Sequence, residues 1–486
     1  MSTHPLIESL RPPVATILDT LAAAEARYCL GEATTFEPAK IHAAWPEVFR
    51  SETVDALRAA GIAEDAGRPF VALVLQALIE AETTRLHARI AEREKAVTVT
   101  DASGAHVDLA RARRLAARDA TAPRHHLHEL YELYDREVAP LWLEAQQRRL
   151  AVVTAAGYRD LIDYADRVQR HDLGRLEREA RGFLDATRAR YESIWRPLFA
   201  AGSFTVAQLI GAARTTFADP VDLATCLPLL HALVGELGLE FTPRIRLDLD
   251  ARPGKVPGAY CLPVRVPDDI VVAVSAAGGV GDCRPLFHEV GHALHFAYTG
   301  PELPVDGRRM GDEGLVEGWG VVTENMFLHH GWLHRSFPAR TAAALGHDTA
   351  QRLLIVTRAQ CVRLLFAVDA ARRPAAPAEL RSRYDQLAAE HLGARPGPIE
   401  YLDVLCGDFV SATRLRSWEF GTSLAELLAH EIGPDWPGDP RAGRWLREHW
   451  RVGVTHTAAE AIDRWAAPPV SLDAVAENLT DSMLNS

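Results

Sequence analysis

The sequence predicts a mainly α fold that carries one small β-sheet. Two observations predict it. Apolar residues recur at three- and four-residue spacing through most of the 486 residues, the period of a helix with one buried face. Between Phe241 and Ala276 the pattern changes to alternation broken by Pro and Gly, the texture of strands and turns. In chain order, helical periodicity covers Val14 to Leu30, Phe70 to Arg93, His126 to Val153 and Leu173 to Phe199. Loops are expected at Thr34 to Pro38 and at Thr98 to Gly104. FTPRIRLDLDARPGKVPGAY reads as strand, turn and strand, and DIVVAVSA, Asp269 to Ala276, as a third strand closed off by Gly278, Gly279 and Gly281. Helices return from Asp282 to the end. The expected organisation is a helical region over 1–200 and a catalytic region over 201–486. The latter holds the sheet, about 241–276, and two key helices, 282–298 and 313–330.

Composition narrows the function. Hydrophobic residues make up 48% and charged residues 24%, ordinary values for a globular chain. Fifty-three basic against 65 acidic residues leave a net charge of -12, with no footprint for nucleic acid or an anionic membrane surface. No apolar run approaches the roughly 18 residues of a membrane span. The start, MSTHPLIESLRPPVATIL, lacks the basic-then-apolar pattern of a secretory leader. The six cysteines, Cys29, Cys226, Cys261, Cys283, Cys361 and Cys406, show no CxxC spacing. Reduced thiols and a cytoplasmic location are expected. His125, His126, Glu129 and Glu132 read as a solvated helix face.

The chemistry concentrates in GDCRPLFHEVGHALHFAYTG, which contains His288-Glu289-Val290-Gly291-His292, an HExxH motif. Asp282 is placed to cap the helix, and Leu286, Val290, Ala293 or Leu294, and Ala297 form its apolar stripe. At about 100° per residue, His292 lies about 40° from His288, so both imidazoles leave one face a turn apart. Glu289 lies beside the pair. Two neutral imidazoles on an ion, with a carboxylate next to the open position, is the arrangement of a catalytic zinc site. A third ligand is offered by MGDEGLVEGWGVVTENMFLHH, where Glu317 follows His292 by 25 residues. Gly314, Gly318 and Gly320 stud this second helix; each costs about 1 kcal/mol against Ala, which close approach to the HExxH helix would explain. Glu324, seven residues after Glu317, shares its face and is placed to accept the remaining N–H of a ligating histidine. His295 reads as a hydrogen-bonded support residue on the polar face, and His329 and His330 as surface residues.

The run RPGKVPGAYCLP, then PDDIVV, LFHEVGHALH and Glu317, resembles the thimet-oligopeptidase-like (M3) zinc peptidases of the gluzincin group. EGWGVVTE is similar to uncharacterised HExxH proteins with an EGWxxxxE helix. The resemblance covers about Arg252 to Met326. It implies His288, His292 and Glu317 as ligands of one Zn2+ per chain and Glu289 as general base. It implies a two-lobed, mainly helical zincin-like body with a deep cleft. It also implies that Ile270, Val271, Val272, Ala273, Val274 and Ser275 form a strand that pairs with an extended peptide. One departure stands out. The family carries a Tyr- and Gly-rich loop downstream of the third ligand, whereas CGDFVSATRLRSWEFGTS has no tyrosine. Tyr401, Arg414 and Arg416 are the candidates to hold the substrate carbonyl instead. The expected function is zinc-dependent hydrolysis of short peptides. The rivals are a zinc-dependent tailoring enzyme acting on a small metabolite, and a non-catalytic binding protein on a peptidase scaffold. A di-iron site would need a second ExxH in helical context, and none is found.

Overall fold

A computed structural model of the chain describes residues 4–100, 104, 106–108, 125–200, 204–213, 221–241, 243–276, 278–397 and 399–484, with backbone alone for 125–128. The chain divides into two compact units: Met1–Val74, Thr215–Ala350 and Thr413–Ser486 form one, and Leu75–Arg214 with Gln351–Ala412 form the other. The division expected at residue 200 follows chain order, whereas these units follow contacts, so the first 74 residues belong with the segments that carry the HExxH motif.

Among its described residues the second unit is helical apart from one short antiparallel pair, β1 (Thr98–Thr100) and β2 (His106–Asp108), in register at Val99 and Val107. Strands of three residues are too short to announce themselves by alternation, which is why this stretch reads as a loop. Residues 101–103 and 105 lie outside the described residues, as do the side chains of His125 and His126; Glu129 and Glu132 are exposed. A buried cation organises the interior. Arg358 donates to the carbonyls of Leu184 and His391 and to the Thr187 hydroxyl at 2.6–2.7 Å, with Tyr191 against its guanidinium. Leu184 and His391 sit in the last turns of the helices Leu173–Ala186 and Pro377–Leu392, where exposed carbonyls favour positive charge.

The first unit holds the three-stranded sheet, in the order β3 (Ile245–Asp248), β5 (Asp269–Ser275), β4 (Gly258–Arg265). β3 runs parallel to β5, with Ile245 opposite Ile270, and β4 runs antiparallel to it, with Cys261 opposite Val272. The strand Ile270 to Ser275, expected to offer an exposed edge, is therefore the central strand. Its interior residues Ile270 to Val274 are all buried. The physical reason is legible in hindsight. An uninterrupted apolar run marks a strand covered on both faces, whereas Pro263, which has no N–H to give a ladder, marks β4 as the edge. The β4–β5 register shifts between Leu262 and Arg265, next to that proline.

Helix Val280–Tyr298 packs against β4 and β5, and its Leu286, Phe287, Val290, Ala293 and Leu294 share one core with Ile270, Val272 and Val274. Gly279 occupies its N-cap; Asp282 lies in the first turn, and its carboxylate accepts the Gly278 N–H at 2.6 Å. Helix Glu313–Glu324 crosses it closely. A Cβ at Gly291 would meet the Trp319 carbonyl at 2.5 Å, and one at Gly320 would meet the His288 ring at 2.7 Å. Two of the glycines noted in the sequence serve other neighbours: Gly318 admits Phe420, and Gly314 admits the Arg416 guanidinium.

Asp312 anchors the start of this helix. Its buried carboxylate accepts the Gly314 N–H at 3.0 Å and the Ala458 N–H at 2.8 Å, and it pairs with both terminal nitrogens of Arg416 at 2.7 and 2.5 Å. Burial alone would raise the Asp312 pKa, but the Arg416 charge and these hydrogen bonds outweigh it and hold it below the usual value. Arg416→Met should therefore destabilise the fold by about 3–5 kcal/mol, because it strands a buried carboxylate. Denaturant unfolding checks this, and a loss below about 1 kcal/mol would count against it. In the native protein the depressed pKa contributes stability above the unfolded Asp value of about 3.9, which is lost as pH falls through the lower folded value.

Candidate metal centre

Three side chains from two helices meet. His288 Nε2 and His292 Nε2 are 3.1 Å apart, and the Glu317 carboxylate lies 3.5 Å from the first and 3.8 Å from the second. Among the described residues this is the group of His, Cys, Asp and Glu ligand atoms that could hold a metal ion, all within 4.8 Å of one another. Bonds of about 2.0–2.1 Å to a tetrahedral cation separate ligand atoms by about 3.3–3.4 Å, so the three atoms already stand close to the edges of such a site. The donor set also fits: two imidazoles and a carboxylate suit zinc and its first-row neighbours.

The electrostatics point the same way. Burial lowers the His288 pKa, but hydrogen bonds to Glu317 and Glu324 and their charges pull it up to about 10. His292, fully buried and beside a charged His288, is pushed down to about 4. The Glu317 and Glu324 carboxylates thus favour positive charge at this place, which a divalent cation would supply.

Around this group the sequence expectations divide. Glu324 Oε2 lies 3.2 Å from His288 Nδ1, which leaves Nε2 with its lone pair toward the site. Glu324 also accepts from Arg284 at 2.5 Å. Its burial would raise its pKa, yet the Arg284 charge and the His288 hydrogen bond hold it at about 2. Arg284 was not anticipated, although its place one turn before His288 on the same helix was the available signal. Glu324→Ala should weaken metal retention by about 10–100-fold without removing a ligand, measured by competition with a chelator. An unchanged metal affinity would show the carboxylate to be dispensable.

Glu289 reaches across to the sheet, where its Oε2 accepts the Cys261 N–H of β4 at 2.8 Å. Burial, then the nearby Glu317 charge, raises its pKa to about 7 against the opposing charge of His288. This contact with edge strand β4 was missed from sequence, because Cys261 contributes its backbone and leaves no side-chain signal.

The remaining candidates are engaged by other partners or act otherwise. His295 is buried, stacked against Trp319 with ring centroids 5.7 Å apart, and burial lowers its pKa to about 3. Its neighbours are Trp319 and Phe296, and it makes no hydrogen bond to the three converging side chains or to Glu324. A backbone hydrogen bond with Gly453 opposes that lowering, so the ring is held by packing and by backbone rather than by the converging side chains. Arg416 is consumed by Asp312, as above, and is corrected from a substrate-facing group to a structural one. Tyr401 belongs to the second unit, is fully buried, and donates its hydroxyl to Asp135 at 2.8 Å. That hydroxyl is committed, and the catalytic assignment is corrected. Arg414 is exposed, and its charge reaches Glu317, adding to the influences that lower that carboxyl's pKa against its burial.

No protein-family profile matches the chain, and no curated protein is similar to it in sequence. Solved structures are similar in fold. A carboxypeptidase from Pyrococcus furiosus, in a form described as Apo-Mg, aligns over 99% of this chain and 99% of its own, with a TM-score of 0.65 at 12% identity. An oligoendopeptidase F from Bacillus anthracis str. Ames aligns over 94% of this chain and 87% of its own, with a TM-score of 0.58 at 13% identity. The mainly helical fold with its small sheet is thus similar to the folds of a carboxypeptidase and an oligoendopeptidase F. Among the described residues no helix is long and apolar enough to cross a membrane.

Proposed function

We propose that this chain is a zinc-dependent peptidase acting on short peptides. The observation that carries the reading is the convergence of His288, His292 and Glu317 with Glu289 beside them. A zinc ion held by these three would supply Lewis acidity toward a water molecule and the scissile carbonyl. Glu289 takes the proton from the attacking water and later returns it to the leaving amine. Its anchoring to the Cys261 N–H fixes one carboxylate oxygen and leaves the other free to move that proton. Glu324 keeps His288 in the tautomer that presents Nε2. Arg414 is the remaining candidate to receive the substrate carbonyl oxygen or a terminal carboxylate. The backbone partner for an extended peptide is the outer edge of β4 rather than Ile270 to Ser275, through the backbone groups that the Glu289 contact at Cys261 and the proline at 263 leave open.

The test is a broad library of short peptides incubated with fully zinc-loaded protein and read by mass spectrometry. Cleavage is expected. Loss of C-terminal residues alone would define a carboxypeptidase, and internal cuts an endopeptidase. If no peptide is cut, the peptidase reading falls and the small-metabolite tailoring reading takes its place.

A further inference from the structure

The second unit contains a cavity of about 180 Å3 that the peptidase reading does not use. An apolar cavity of about 150 Å3 is enough to take a benzene ring. This one is walled by Leu143, Leu150, Leu161, Leu380 and Phe409, together with several alanines. Three charged groups also line it: Arg149, Asp160 and Asp408. Arg149 is buried, with 8% of its surface exposed, and its pKa is lowered by that burial. One terminal nitrogen meets Asp408, and its Nε has no hydrogen-bond partner. The Asp408 side chain is 42% exposed and accepts from Gln169 at 2.8 Å. Asp160 stands at the exposed rim, where one oxygen caps the helix Leu161–Arg167 through the Asp163 N–H.

The wall formed by Asp408 and Phe409 is strained. Both residues have positive φ, 47° and 55°, and neither is glycine. Such backbone persists where its surroundings fix it, and it recurs at ligand clamps. Here it turns the Asp408 carboxylate toward Arg149 and the Phe409 ring into the cavity lining.

We propose that this cavity binds a free α-amino acid with an apolar side chain of leucine or phenylalanine size. The α-carboxylate takes the Arg149 guanidinium, the α-ammonium takes Asp408 and Asp160 at the rim, and the side chain fills the space among Leu143, Leu150 and Phe409. A buried donor cation and two carboxylates beside apolar walls match a zwitterion with an apolar tail, and match a simple anion or cation less well. The proposal stands on this unit alone and does not depend on the reading of the metal centre.

Calorimetric titration of the full chain with L-leucine and with L-phenylalanine tests it. Saturable one-to-one binding with Kd below about 1 mM is expected for at least one. The two half-molecules of leucine, 4-methylpentanoate and 3-methylbutylamine, should bind at least about ten-fold more weakly. Ala371→Phe, which fills the cavity from a partly exposed wall position, should abolish binding while leaving the thermal midpoint near that of wild type. If Ala371→Phe does not fold, Leu150→Phe replaces it with the same expectation. Three results would overturn the proposal: no binding of either amino acid, half-molecules that bind as tightly as leucine, or binding that survives in a folded cavity-filled variant.

Discussion

Glu289→Gln should leave the fold and the metal in place and lower turnover by at least about 10²–10⁴, the size of a general-base contribution. The substitution is nearly isosteric. A Gln side-chain oxygen can still accept the Cys261 N–H, so the link between helix and edge strand survives. Stability should hold or rise, because a buried carboxylate whose pKa is raised by burial and by the Glu317 charge is replaced by a neutral amide. What is lost is the group that takes a proton. In the wild type, activity should fall as pH drops through the Glu289 pKa, since the protonated carboxyl accepts no proton. A cation on the neighbouring ligands favours the carboxylate and places that limb below the metal-free value of about 7. The variant should lack this acidic limb in whatever activity remains. A variant that keeps more than about a tenth of the wild-type rate, with the limb unchanged, would remove Glu289 from the chemistry.

The candidate site was legible in the sequence to the extent that helical phase decides it. His288, His292, Glu317 and Glu324 lie on two regular helices, where residue spacing fixes direction, and the structure brings the four together. The glycine argument also survives at the crossing, although only Gly320 faces His288, while Gly291 supplies the matching gap on the other helix. Legibility ended where tertiary partners decide. Arg416 and Arg414 are two residues apart on one helix, yet one is sealed against Asp312 and the other is exposed. Nothing in RLRSWEF distinguishes them, because the distinguishing partner lies more than a hundred residues away. Tyr401 was singled out for its chemistry and its closeness in sequence, and the fold gives its hydroxyl to Asp135 instead.

The small sheet shows the same limit in another form. All three strands were visible, but strand order is a long-range property, and period and composition describe one strand at a time. The family resemblance implies that DIVVAVS pairs with a peptide, which would place it at an edge. Its lack of alternation argued for the sheet centre, and Pro263 in GAYCLPVR argued for the edge.

Glu317→Ala should cost most of the metal affinity. The binding free energy of a four-ligand zinc site is about 10–16 kcal/mol, so an even share is about 3–4 kcal/mol per ligand, or roughly 10²–10³ in affinity. The share of Glu317 should not be smaller than even. It is the one anionic ligand of the three, and its pKa is lowered despite burial, so it is ready to bind without first losing a proton. Its removal also takes away one of the carboxylates that hold charge on His288. The vacated corner offers no substitute, since among the described residues no other His, Cys, Asp or Glu side chain joins this group. The measurement is thermal unfolding across a zinc titration. A ligand that binds only the folded chain stabilises it by about 2.7 kcal/mol at one hundred times Kd. The wild-type midpoint should therefore climb at zinc concentrations that leave Glu317→Ala unmoved, while the two proteins unfold alike in chelator. If the variant responds at the same zinc concentrations as the wild type, the third ligand is another residue, and the two-helix geometry does not make the site.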